Sequence, residues 1–111
     1  MKQINKQLKE IVQDLKPYKP EKIFLYGSYA RGDQRNSSDI DLLIIKKTKK
    51  RALDRIDDVT DLLYPKNKFF SERFNLSIDP LILTPKELAE KKRINFFIKK
   101  ILKESKIIYA A

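Results

Sequence analysis

The chain has 111 residues, 25 Lys plus Arg against 15 Asp plus Glu, a formal charge of +10, and neither Cys nor His. A domain of that size buries roughly two thirds of the surface its unfolded chain exposes, so residues 1–111 read as a single domain that needs no staples. Disulfides, thiolate zinc sites, iron–sulfur clusters, Cys nucleophiles and Ser-His-Asp catalysis are excluded, which leaves carboxylates, hydroxyls, backbone amides, Lys and Arg, with any metal hard and oxygen-bound. Residues 2–16 carry Ile4, Leu8, Ile11, Val12 and Leu15 at helical spacing, and Lys16-Pro17 ends that helix. Ile23-Phe24-Leu25-Tyr26 is a nearly continuous apolar run, the pattern of a strand buried on both faces, and it stops at Gly27-Ser28. Residues 33–38 form a polar loop, and residues 40–45 a second strand. Residues 49–63 read as a helix with Leu53, Ile56, Val59, Leu62 and Leu63 on its apolar face, broken at Tyr64-Pro65-Lys66-Asn67. Residues 74–83 read as a third strand interrupted by Pro80. Thr84-Pro85-x-Glu87 is a helix start, with Thr as N-cap, Pro at the first position and Glu at the third. The helical pattern then runs through Ile94, Phe97, Ile98, Ile101 and Leu102, and Lys106-Ile107-Ile108-Tyr109 is a short apolar tail. The order helix, strand, turn, strand, helix, strand, helix, helix predicts a small α/β (α+β) sheet with flanking helices.

The positive balance suits an anionic partner, yet the lysines are spread along the whole chain as on a solvated face. The densest clusters are Lys46, Lys47, Lys49, Lys50 and Arg51, then Lys91, Lys92 and Arg93. They leave direct nucleic-acid binding open without favouring it, because the chain has no Trp and no clustered aromatic platform. The N-terminus leads into no apolar stretch, and no apolar run approaches the roughly 18 residues of a membrane span. The expectation is a cytoplasmic chain with no membrane segment.

Asp39 and Asp41 stand two residues apart at the head of the second strand. Strand side chains alternate, so both point to one face, about 6.6 Å apart at roughly 3.3 Å per residue. Two like charges aimed at one spot raise each other's pKa, and a cation between them relieves the repulsion. One or two Mg²⁺ ions shared with substrate phosphates meet that need. Asp79 lies inside the apolar run Leu76-Ser77-Ile78-Asp79-Pro80-Leu81-Ile82. It is read in two ways. A neighbouring strand would bring it beside Asp39 or Asp41, whereas Pro80 favours an edge strand on which Asp79 faces water.

Both glycines of the chain, Gly27 and Gly32, fall within one six-residue window. Gly27 lets the backbone approach a ligand, Ser28 adds a hydroxyl, the following amides suit a phosphate, and Arg31 and Gly32 extend the cradle. The spacing resembles half of a Walker A loop, but Asp33 stands where the phosphate-binding Lys must be. A nucleophile elbow is excluded too, since the frame is not G-x-S-x-G and there is no His. Each signal alone is common. Their conjunction is specific: a strand, Gly27-Ser28, ten residues, then Asp39-x-Asp41 opening a second strand.

The stretch Phe24-Leu25-Tyr26-Gly27-Ser28-Tyr29-Ala30-Arg31-Gly32, followed by Ser37-Ser38-Asp39-Ile40-Asp41-Leu42-Leu43, resembles the signature of the minimal nucleotidyltransferases, within the superfamily that includes DNA polymerase beta. Ile78-Asp79, Thr84-Pro85-Lys86-Glu87-Leu88 and Lys103-Glu104-Ser105-Lys106-Ile107-Ile108-Tyr109 extend the resemblance more loosely. Pro80 departs from it, standing where the family usually has an ordinary apolar residue. The length is about that of the whole family member, so a complete protein is expected. The resemblance implies the polymerase beta-like fold, a small mixed sheet with flanking helices. It implies that Gly27 and Ser28 bind the nucleoside triphosphate with help from Arg31, that Asp39 and Asp41 ligate two Mg²⁺ ions, and that Asp79 is the third carboxylate, holding one metal and activating the attacking hydroxyl. The implied reaction is in-line attack on the α-phosphate with departure of pyrophosphate. The implied partner is a HEPN-domain toxin, commonly encoded beside such proteins, and the implied role is that of an antitoxin transferring AMP from ATP to a hydroxyl, typically of tyrosine, on the toxin. Three other readings stay open: an antitoxin that neutralises its partner by complex formation alone, a nucleic-acid-binding protein, and transfer to a small molecule. The last normally needs an extra helical domain that 111 residues do not supply.

Overall fold

A computed structural model describes residues 2–65 and 77–111. Helix α1 (Lys2–Leu15) and a short 3₁₀ turn (Lys16–Tyr18) lead into β1 (Lys22–Tyr26); the one-turn helix α2 (Ser28–Arg31), β2 (Ile40–Ile45) and α3 (Ala52–Leu63) follow. β3 (Ile78–Leu83), α4 (Pro85–Ile94), α5 (Phe96–Glu104) and β4 (Lys106–Ala110) complete the described chain. Of the turn and strand expected between α3 and β3, residues 66–67 and 74–76 lie outside the described residues.

The strands form one mixed sheet in the order β3-β2-β1-β4. β1 pairs antiparallel with both β2 and β4, whereas β2 and β3 run parallel. The parallel pair needs a crossover, and α3 lies on it. β1 and β2 are central, so their side chains are buried on both faces, as an unbroken apolar run demands. Leu8, Ile11 and Leu15 of α1 and Val59 and Leu63 of α3 cover one face with Ile23, Leu25, Ile40, Leu42 and Ile44. Ile98 and Ile101 of α5 cover the other, packing on Phe24, Tyr26, Leu43, Ile45 and Leu83. Each fully buried Ile or Leu contributes roughly 1.5–3 kcal/mol, so the sheet carries most of the stability.

Two elements differ from the sequence reading. On α3, Leu53 is 77% and Ile56 39% exposed, while Arg55 is 8% exposed and shares the inner face with Val59 and Leu63. Its guanidinium is held there: Nε donates to the Lys50 carbonyl at 2.8 Å, and Nη1 donates to Glu87 Oε1 at 2.7 Å and the Ile82 carbonyl at 3.3 Å. A search for apolar periodicity passes over a charged residue whose burial is compensated this way. The two helices expected after Thr84 are both present, and they divide at Asn95. Asn95 leaves the helical region (φ −102°, ψ 112°), and its side-chain oxygen accepts from the Ile98 amide at 3.1 Å, starting α5 anew. The second difference is the apolar tail, which is β4, an edge strand that adds to β1 and sends Ile108 and Tyr109 against the core.

The expected capping box at the start of α4 is present: Thr84 Oγ1 accepts from the Glu87 amide at 3.1 Å, and Glu87 Oε1 accepts from the Thr84 amide at 2.8 Å. The same Glu87 oxygen receives Arg55, so one carboxylate joins the crossover helix, the end of β3 and the start of α4. Burial alone would raise the Glu87 pKa, but the Thr84 amide and the Arg55 guanidinium outweigh it and hold the carboxyl below its ordinary value. A lowered carboxylate stabilises the fold above the unfolded pKa, and that contribution is lost as pH falls through the folded value. Glu87→Ala leaves the buried Arg55 without its carboxylate partner and should cost on the order of 3 kcal/mol at neutral pH by urea denaturation. The gap to wild type should narrow on acidification below the usual Glu range; a gap that widens there contradicts this account.

Candidate active site

Chain alternation decides which way the acids face. Ile40, Leu42 and Ile44 of β2 belong to the α1/α3 side of the sheet, and Leu43 and Ile45 to the α5 side. Asp41 therefore projects toward α5. On β3, Ile78 and Ile82 pack on the α1/α3 side, which turns Asp79 to the same side as Asp41. The parallel register sets Asp41 directly opposite Asp79, on strands about 4.8 Å apart. That register is held beyond the strand ends by Ile40 N–H donating to the Ser77 carbonyl (2.8 Å) and Lys46 N–H donating to the Leu83 carbonyl (3.0 Å).

Both sequence readings of Asp79 describe part of what is found. β3 is the edge strand that Pro80 demands, and Asp79 is exposed, yet it also faces Asp41 across the pair. Asp39 precedes β2, is exposed, and does not line the cavity that Asp41 and Asp79 share. Among the described residues no group of three or more acidic side chains is gathered closely enough to hold a metal ion.

Gly27 ends β1 with φ +76°, in the region L side chains avoid. A β-carbon there would collide with Asp41 Oδ2 and come within 3.1 Å of Asp41 Cγ. Gly27 thus makes room for the half-buried carboxylate on the neighbouring strand. Gly32 does a different job: at φ +84° it closes α2, donating its amide to the Ser28 carbonyl at 2.9 Å.

Gly27, Ser28, Arg31, Asp41 and Asp79 line one cavity of about 310 Å³, within the range that takes a small ligand. Tyr26 forms part of the wall from β1, and Phe97, Lys100 and Glu104 part of it from α5. A larger cavity of about 720 Å³ lies at the other end of the sheet, between Lys47, Thr48 and Lys49 after β2 and the start of α4. Among the described residues its lining has a single acid, Glu21, and no carboxylate pair, so the smaller cavity is the candidate site.

Burial raises the Asp41 pKa, and the neighbouring charges of Asp79 and Asp39 raise it further against an opposing pull from Arg31. Burial and the charges of Asp41, Asp79 and Glu104 push the Tyr26 hydroxyl up to about 12. The cavity floor is strongly negative.

Above the floor, Glu104 gathers the donors. The Gly27 amide donates to its Oε1 at 3.2 Å, and Arg31 Nη1 donates to both carboxylate oxygens at 3.1 Å. Arg31 Nε also donates to Asp33 at 3.2 Å. Sequence reasoning missed Tyr26, Phe97, Lys100 and Glu104 as site residues. On α5 the signal is a stripe at positions 97, 100, 101 and 104, one helix face of mixed chemistry that a search for purely apolar periodicity discards.

A nucleotidyltransferase domain model matches residues 5–109. The chain belongs to the nucleotidyltransferase domain family. Two relatives from Methanocaldococcus jannaschii are named as putative protein adenylyltransferases. One is 41% identical over 88 residues, 78% of this chain and 56% of its own length. The other is 33% identical over 107 residues, 94% of this chain and 96% of its own length. This nucleotidyltransferase domain spans little more than half of the first relative. Two solved structures share its fold, each with a TM-score of 0.61 over 94% of the chain. One is described as a putative nucleotidyltransferase from Sulfolobus solfataricus, at 24% identity and with 78% of it covered. The other is a toxin–antitoxin complex with AMP-PNP, at 18% identity and with 73% of it covered. The expected mixed sheet with flanking helices is the fold found. No helix among the described residues is long and apolar enough to cross a membrane.

The raised Asp41 carboxyl has a thermodynamic consequence. Ionising a carboxylate whose folded pKa is raised costs stability, and the cost disappears as pH falls through that pKa. In metal-free buffer at pH 7, Asp41→Asn should therefore melt above wild type, with the difference closing on acidification. A variant that melts below wild type at pH 7 would contradict the reading of Asp41 as a strained charge.

Proposed function

We propose that this chain transfers AMP from ATP to a hydroxyl of a partner protein, with Mg²⁺, and that the partner is a HEPN-domain toxin modified on tyrosine and neutralised thereby. The observation that carries the proposal is the facing of Asp41 and Asp79 across the β2–β3 pair beside the Gly27–Ser28 turn. The names of the two relatives support a protein acceptor, and the AMP-PNP-bound toxin–antitoxin neighbour supports ATP and a toxin partner.

The residues fit a hard divalent cation. Asp41 and Asp79 present only acceptor oxygens, and part of what raises Asp41 is the charge of Asp79, which a cation between them would offset. Asp39, whose charge also reaches Asp41, lies outside the cavity and would have to turn toward it to complete the proposed set of Asp39, Asp41 and Asp79 for two Mg²⁺ ions. Bound there, the metal would neutralise the triphosphate and make the α-phosphorus more electrophilic. Gly27 N–H and Arg31 already converge on one anion, the Glu104 carboxylate, so the same two donors with the Ser28 hydroxyl suit the triphosphate. Asp79 accepts the proton of the acceptor hydroxyl as its oxygen attacks the α-phosphorus. One P–O bond forms, the bond to the β-phosphate oxygen breaks, and pyrophosphate leaves.

The test uses ATP labelled at the α-phosphate, Mg²⁺ and the purified protein encoded by the neighbouring reading frame. Label should move to that protein, and Asp41→Asn should reduce the rate at least about a hundredfold while remaining folded. Absence of label transfer by wild type overturns the proposal, and an Asp41→Asn chain that still protects cells from the toxin favours neutralisation by binding alone.

A further inference from the structure

Resting on the proposal that the acceptor is a protein, we propose that the elbow between α4 and α5 is the surface on which that acceptor docks, through an apolar patch of its own ringed by Asp and Glu. Ile94 is 84%, Phe96 86% and Phe97 59% exposed, and these three large apolar side chains fall within four consecutive residues around Asn95. They are not a deficit of the core. Ile98 and Ile101 of the same helix are 3% and 1% exposed and already fill the α5 side of the sheet. A contiguous apolar cluster left in water beside a site marks an interaction surface.

Two observations say what covers it. The first is continuity with the candidate site. Phe97 belongs to the elbow and also to the wall of the Asp41–Asp79 cavity, with Lys100 one turn further along the same wall. A protein seated on Ile94 and Phe96 therefore lies against the cavity mouth, where an acceptor hydroxyl must enter. The second is charge. Lys91, Lys92 and Arg93 occupy the last turn of α4, and Lys99 holds its ammonium 5.6 Å from the centre of the Phe96 ring. This cationic rim complements acidic groups at the periphery of the partner, which speed and orient its approach. The rim also accounts for part of the surplus of Lys and Arg that the reaction itself does not use.

The experiment measures binding and chemistry separately, with the purified product of the neighbouring reading frame. Ile94→Ser/Phe96→Ser removes two exposed side chains that do not line the cavity, so the chain should fold and bind AMP-PNP with Mg²⁺ as wild type does. Its affinity for the partner protein should fall at least about tenfold, with the KM for the partner rising and that for ATP unchanged. Lys91→Glu/Arg93→Glu should slow association and weaken its salt dependence. Equal partner affinity in wild type and the serine variant overturns the proposal. So does a wild-type chain that does not bind this protein, that buries the elbow in a dimer of itself, or that prefers single-stranded RNA there. Binding that is lost in the serine variant without any AMP transfer by wild type leaves the docking surface standing and removes the transferase reading.

Discussion

Two aspartates on adjacent parallel strands, Asp41 and Asp79, face each other on one side of the sheet, and much of the surrounding structure follows from accommodating them. Like charges at that separation repel, and burial of Asp41 makes the repulsion harder to screen. The strand before them must end in a glycine, because any β-carbon at position 27 would enter the space of the Asp41 carboxylate. Tyr26, paired with Asp41 across β1 and β2, keeps its phenol protonated in that field. A parallel pair also requires the chain to leave the sheet and return, so the carboxylates depend on a crossover whose helix is tied down elsewhere.

That anchoring lies at the far end of the same strands. Glu87 closes the first turn of α4 and receives Arg55 from the crossover helix, fixing how β3 leaves the sheet. The two ends of the β2–β3 pair thus divide the electrostatics. One end holds like charges facing each other, a strained arrangement suited to binding a cation and phosphates. The other holds opposite charges with their hydrogen bonds satisfied, an arrangement suited to stability. The two faces divide as well. The α1/α3 side is apolar core apart from the buried Arg55. On the α5 side the core stops at Ile98 and Ile101, and the same helix continues into the site as Phe97, Lys100 and Glu104. Stability and site therefore share one short helix, and Asn95 sets the direction in which that helix starts.

The chain on its own determined the local matters. The apolar runs of β1 and β2, the i, i+3, i+7 spacing of Leu8, Ile11 and Leu15, and the Thr84–Glu87 capping box all depend on residues a few positions apart, where backbone periodicity converts order directly into geometry. The pairing of Gly27-Ser28 with Asp39-x-Asp41 was legible for the same reason, since both lie at the ends of consecutive strands. Only the tertiary structure decided which acids meet: Asp79 stands opposite Asp41 because the strands are parallel and in that register, a choice made by sheet topology across 37 intervening residues. It likewise decided that Arg55 turns inward in place of Leu53 and that Glu104 binds Gly27 and Arg31. Each of these rests on a partner distant in the chain, and a partner's distance in space is the one quantity that periodicity and spacing do not contain.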